Sequence, residues 1–173
     1  MITIISGTNR PQSNTLKVAK YYQKKLAEKG METEILDLQD LPNNLIASDL
    51  YGKRSDAFQK IQDLMAKTTK FLFVIPEYNG SFPGVLKTFI DACSFPESFY
   101  DKKACLVGIS SGKYGNIRGI EHFNGVCAYL HLNVMPLRIH ISAIKTELNE
   151  KDEFFQEDTL KFVGQQIEKF AAY

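Results

Sequence analysis

Residues 70–91, KFLFVIPEYNGSFPGVLKTFID, carry the change of pattern that decides the fold. Phe71 to Ile75 form an apolar run without alternation, as expected of a strand covered on both faces. Pro76 ends the run. Beyond the loop, Val85, Leu86, Phe89, Ile90 and Cys93 recur at helical spacing, which predicts a helix from Pro83 or Gly84.

Working outward, strands and amphipathic segments keep alternating. Met1 to Ser6 is a short β-branched strand, and Ser13 to Lys29 is a helix with Leu16, Val18, Ala19, Tyr22 and Leu26 on one face. Gly30 stops it. Thr33 to Leu38 reads as a second strand with alternating burial. A Pro/Asn-containing connection spans Asp40 to Arg54, and Ser55 caps a helix to about Lys67. Downstream, Ala104 to Ile109 is a fourth strand, and a Gly-rich loop leads to a helix ending near Leu130. Val134 to Ile141 is a fifth strand, and a last helix runs from Asp152 to Ala171. Five strands separated by helices call for parallel pairing through right-handed crossovers, so the class is an open, doubly wound α/β sheet. No repeat or linker divides the chain, and residues 1–173 are expected to form one domain. Spacing alone leaves the strand order open. Ligands of such sheets bind outside the carboxyl ends of the strands.

Composition narrows the function. With 21 basic and 20 acidic residues, the net charge of +1 leaves no basic excess for nucleic acid. It also argues against a strongly acidic carrier that docks through surface charge. No apolar run approaches the roughly 20 residues of a membrane helix. No leader pattern precedes the first strand, so a cytoplasmic protein is expected. Cys93, Cys105 and Cys127 are widely spaced in apolar runs and read as buried structural thiols. His122, His131 and His140 are nine residues apart, two assigned to a helix and one to a strand, with no carboxylate pairing of a metal site. No metal is expected, and Glu77 and Asp91 stand on elements too different to be read as an acid/base pair.

Three loops lie at the carboxyl ends. The first, GTNRPQSNT at 7–15, has neither a dinucleotide fingerprint nor a P-loop. It is dense in hydroxyl and amide side chains and enters a helix N-terminus, where free N–H groups and the dipole favour an anion. A cap alone would need only Ser13 or Asn14. Here Thr8, Thr15 and Arg10 stand beside them, which points to phosphate. The second loop, PEYNGSFPG at 76–84, combines Gly and Pro with the flat faces of Tyr78 and Phe82 and suits a planar heteroaromatic ring. Phe82 is assigned to packing beneath the following helix, while Tyr78 stays open between packing and ligand. The third loop, SSGKYGN at 110–116, offers backbone N–H groups to a ring edge.

These residues resemble the NADPH-dependent FMN reductase family of flavodoxin-like proteins, which includes flavin, quinone, azo-dye and chromate reductases. The loop at 7–15 is similar to that family's phosphate loop, and PEYNGSFPGVLKTFID at 76–91 matches its P-E-Y-N-x-S-x-P-G-x-L-K-N-x-I-D stretch nearly residue for residue. The resemblance implies a three-layer sandwich around a five-stranded parallel sheet of order 2-1-3-4-5. It implies FMN, with Arg10, Ser13, Asn14 and Thr15 on the phosphate and Thr8 close by. Pro76, Glu77, Tyr78 and Asn79 would line the isoalloxazine and ribityl region, and Ser111, Gly112, Lys113 and Tyr114 the pyrimidine edge. It further implies NADPH or NADH as donor, a small-molecule electron acceptor, and a homodimer or homotetramer. Phe95, Phe99 and Tyr100 then stay open between a subunit interface and an internal core. Two features depart from the family pattern: the chain has no Trp, and its third loop is poorer in Gly and Arg.

The expected activity is a two-electron, ping-pong reduction carried by the flavin, with no general acid required. Lys113 is the candidate to stabilise negative charge at the ring. A non-catalytic FMN-binding carrier is the alternative, but the chain lacks the acidity and the T-x-T-G-x-T loop usual in flavodoxins. A receiver domain is excluded because the first strand ends in Ser6-Gly7 and the third in Ile75-Pro76, not in acidic residues.

Overall fold

The computed structural model describes Met1–Tyr173. In chain order the elements are β1 (Ile2–Ser6), α1 (Asn14–Ala27), β2 (Thr33–Asp37), α2 (Leu45–Ser48), α3 (Asp56–Lys67), β3 (Lys70–Pro76), α4 (Gly84–Ala92), β4 (Lys103–Ile109), α5 (Ile117–Tyr129), β5 (Asn133–Val134), β6 (Ile139–Ile141) and α6 (Glu157–Ala172). Every pairing in the sheet is parallel, in the order β2-β1-β3-β4, with β5 and β6 both beside β4. This is the flavodoxin-like order 2-1-3-4-5 with its last position divided.

The two-sided burial of β3 follows from its uninterrupted apolar run. Successive side chains point to opposite faces. Phe71, Phe73 and Ile75 therefore enter one core with Phe58, Leu86, Phe89 and Phe123 from α3, α4 and α5. Leu72 and Val74 enter the other with Val18, Tyr22, Leu26, Val163 and Phe170 from α1 and α6. Helices on both faces make three layers, and their connections leave the carboxyl strand ends open at one edge.

The expected single strand Val134–Ile141 is interrupted. Met135 still donates to Ala104 O at 2.8 Å, but Pro136 has no N–H, and pairing resumes only at Ile139 opposite Val107. Gln166 of α6 repairs the break. Its amide donates to Leu106 O at 3.1 Å and Leu137 O at 3.0 Å, while its carbonyl accepts from Tyr22 Oη at 2.6 Å. A buried side chain thus satisfies carbonyls that the ladder cannot.

Smaller corrections have local causes. The last helix begins at Glu157, not Asp152, because Asn149 Oδ1 accepts from the amides of Lys151 and Glu153 and holds a turn there. The connection after β2 contains a 3₁₀ turn capped by Asp37 and the short α2. Strand β2 does not alternate cleanly, since Leu36 and Asp37 are both buried. Strand β3 continues through Pro76, which sits opposite Ile109. His131 lies beyond α5 with φ 56°, in a turn rather than in the helix. Phe99 is core, whereas Phe95 and Tyr100 are exposed, with Tyr100 stacked on His131.

Candidate functional site

The carboxyl ends of β1, β3 and β4 emerge side by side, since Ser6 pairs with Val74 and Pro76 with Ile109. The first loop leaves β1 with Thr8 buried. Thr8 Oγ1 lies 2.7 Å from Tyr78 Oη and accepts from the Arg10 amide at 3.3 Å. Ser13 is the N-cap of α1 and accepts from Leu16 N at 3.1 Å. The amides of Asn14 and Thr15 have no partner in the chain, as the first turn of a helix requires. They are donors available to an anion.

The second loop is a tight turn. Tyr78 and Ser81 exchange backbone hydrogen bonds of 2.9 and 3.0 Å around Asn79 and Gly80, whose φ angles are 52° and 74°. Two central residues with positive φ make a type I′ turn, for which Asn-Gly is the preferred pair. The turn rests on α5, where Ser81 Oγ lies 2.9 Å from His122 Nδ1. Tyr78 joins the first two loops through its hydroxyl, and Phe82 packs on Phe123 with ring centroids 5.4 Å apart.

The third loop is tied down by Ser110. Its Oγ donates to Gly112 O at 2.9 Å and accepts from Gly115 N at 3.0 Å. Its amide donates to Ile141 O, and its carbonyl accepts from Ile144 N. The third loop and the turn after β6 are therefore one hydrogen-bonded unit.

Between these loops lies a cleft of ≈ 420 Å³. Its walls include Thr8, Arg10, Ser13, Asn14 and Thr15 from the first loop, Pro76, Glu77 and Tyr78 from the second, and Ser111 from the third. These are nine of the sequence candidates brought together. The other four, Asn79, Gly112, Lys113 and Tyr114, are exposed and stand outside its walls. Pro11, Gln12, Ile109, Ser110, Ile144 and Lys145 complete the lining and were not among the candidates. Ile144 and Lys145 follow the fifth strand position, whose carboxyl end faces the same edge; that topology is their only signal in the sequence.

The chemistry of the cleft suits a phosphorylated ligand. Arg10 and Lys145 form no ion pair with any carboxylate, and Glu77 is the one acidic residue among the walls. Arg10, the two free amides at the start of α1 and the hydroxyls of Thr8, Ser13 and Thr15 line one part of the cleft, a donor set that fits a phosphate monoester. Apolar and aromatic surfaces of Pro76, Tyr78 and Ile109 continue from it. The residues fit FMN. No three His, Cys, Asp or Glu side chains gather at metal-binding distances. Burial raises the thiols of all three cysteines, Cys127 to about 12, so none is an activated nucleophile.

Residues 1–145 match the model of a family described as NADPH-dependent FMN reductase. A 2-hydroxy-1,4-benzoquinone reductase of Burkholderia sp. is 28% identical over 176 residues, covering 99% of this chain and 94% of its own. An NAD(P)H-dependent FMN reductase of Pseudomonas aeruginosa is 28% identical over 149 residues, covering 83% and 78%. Among solved structures, the flavoenzyme NAD(P)H:(acceptor) oxidoreductase FerB of Paracoccus denitrificans superposes with a TM-score of 0.83 at 23% identity, over 99% of this chain and 95% of its own. No helix is long and apolar enough to cross a membrane.

Proposed function

The chain belongs to the NADPH-dependent FMN reductase family, and from that premise we propose that it is an FMN-dependent NAD(P)H oxidoreductase reducing small acceptors such as quinones, flavins, azo compounds or metal oxyanions by a two-electron, ping-pong route. The observation that carries this reading is the meeting of three loops at one cleft, with phosphate donors at one part and aromatic surface beside them. FMN held in this cleft would supply the redox chemistry, two-electron transfer between a nicotinamide donor and the acceptor.

The chain's own part is binding and placement. Arg10, Ser13, Asn14 and Thr15 hold the phosphate, aided by the dipole of α1. The hydroxyl contact between Thr8 and Tyr78 fixes the aromatic wall against the phosphate loop. Pro76, Glu77 and Asn79 shape the ring and ribityl region. Ser111 meets the pyrimidine edge from the cleft wall, and Gly112, Lys113 and Tyr114, exposed beyond that wall, reach the part of the ring that projects from the cleft, where Lys113 supplies positive charge. Lys113→Ala is expected to weaken FMN binding and slow reduction; unchanged values for both would remove it from this role. The assembly proposed is a homodimer or homotetramer formed by a single-domain, cytoplasmic chain.

The deciding experiment is the absorption spectrum of the purified protein with and without FMN, followed by anaerobic NADPH. A bound flavin band that bleaches supports the reductase. A bound flavin that stays oxidised favours an electron carrier, and failure to take up flavin removes the proposal.

A further inference from the structure

Lys145 is a charged side chain at the cleft to which neither the sequence motifs nor the three loops assign a role. It belongs to the 3₁₀ turn Ile144–Thr146, just after β6. That turn is firmly set. Ala143 donates to Gly112 O at 2.8 Å, Ile144 to Ser110 O at 3.0 Å, and Thr146 to Ala143 O at 2.8 Å. Ile144 is buried in the core at 2% exposure, while the next residue, Lys145, is exposed and lines the cleft. Lys145 has no carboxylate within ion-pair distance, as is true of most lysines in the chain, but it is the one lysine that lines this cleft. It stands on the same cleft as Arg10, which is equally without a partner.

We infer that Lys145 is the second cation of the phosphate subsite, closing on the phosphate monoester from the fifth strand position while Arg10 and the start of α1 hold it from the first. The inference rests on the FMN reading above. Its physical basis is charge balance. A phosphate monoester carries about −1.5 to −2 at neutral pH. Arg10 supplies one positive charge and the α1 N-terminus about half of one. A second cation brings that sum closer to the charge of the phosphate. Lys145 is the only other basic residue among the walls. It also ties phosphate binding to the third loop, because the turn carrying Lys145 is bonded to Ser110 and Gly112.

The test is titration of the flavin-free protein with FMN and with riboflavin, read by flavin fluorescence over a range of NaCl concentrations. Lys145→Ala should weaken FMN binding about tenfold, the scale of one lost ionic hydrogen bond. Riboflavin affinity should be unchanged, and the salt dependence of FMN binding should become shallower. Lys145→Arg should retain most of the affinity, and Lys145→Glu should lose more than alanine does. Equal loss for FMN and riboflavin would place Lys145 on the ring or ribityl chain, and no loss for either would remove it from the site. Both outcomes overturn the inference while leaving the FMN reading intact. A wild-type protein that binds neither flavin overturns the FMN reading itself, and this inference with it.

Discussion

At Gly119, helix α5 and the Asn79-Gly80 turn come as close as backbones can. A Cβ there would lie 2.0 Å from Asn116 Oδ1 and 2.7 Å from the carbonyl carbon of Ser81. Neither neighbour yields easily: Asn116 is buried and its amide donates to Ile75 O at 3.0 Å, and the Ser81 atom is backbone. Gly119→Ala should cost about 1–3 kcal/mol through overpacking and lower the melting temperature by roughly 2–12 °C. An unchanged melting temperature would mean that the turn is free to move away. His140 is a second single-residue test. Burial lowers its pKa below the ordinary value, opposed by Gly115 O and Glu121 and reinforced by Arg138. As pH falls, the unfolded chain takes up the proton first, so the stability present at neutral pH is lost from about pH 6.5 downward. His140→Gln should flatten stability against pH in that window, as read by denaturant titration. The same slope in both proteins would assign the effect elsewhere. The environments of Gly119 and His140 are illegible in sequence, because each depends on which distant element packs against it.

At the scale of elements, two serine caps have the same form and different duties. Ser13 accepts from Leu16 N at the start of α1, and Ser55 from Phe58 N at the start of α3. Both were legible, since a short polar residue before a periodic apolar segment is a local signal. Each serine-to-alanine change should cost about 1 kcal/mol of stability. Only Ser13→Ala should also weaken FMN more than riboflavin, because only α1 opens onto the cleft. Equal flavin affinities for the two variants would contradict that assignment. The fifth strand was legible as apolar, but its division was not. The consequence of Pro136 depended on β4 lying alongside and on Gln166 reaching from α6 to the exposed carbonyls.

For the whole molecule, the layered sheet acts as a scaffold that holds three loops and one turn at a single edge. A ligand that binds only this folded arrangement stabilises it. FMN at 100 times its dissociation constant should add about 2.7 kcal/mol and raise the melting temperature by roughly 5–11 °C. Riboflavin at the same concentration should raise it less, and no shift with FMN would argue against a site in the folded state. The sequence by itself determined the α/β class, the strand and helix rhythm, and the first-loop residues that line the cleft. These rest on local periodicity, capping and loop composition, which are written in consecutive residues. Tertiary structure alone decided that Tyr78 is pinned by Thr8, that Gln166 mends the broken strand, and that Lys145 shares a cleft with Arg10. Those partners are from 29 to 135 positions apart in the chain. They come together because β-strands from remote segments pair in parallel, which brings the loops to one edge and packs the helices on the sheet.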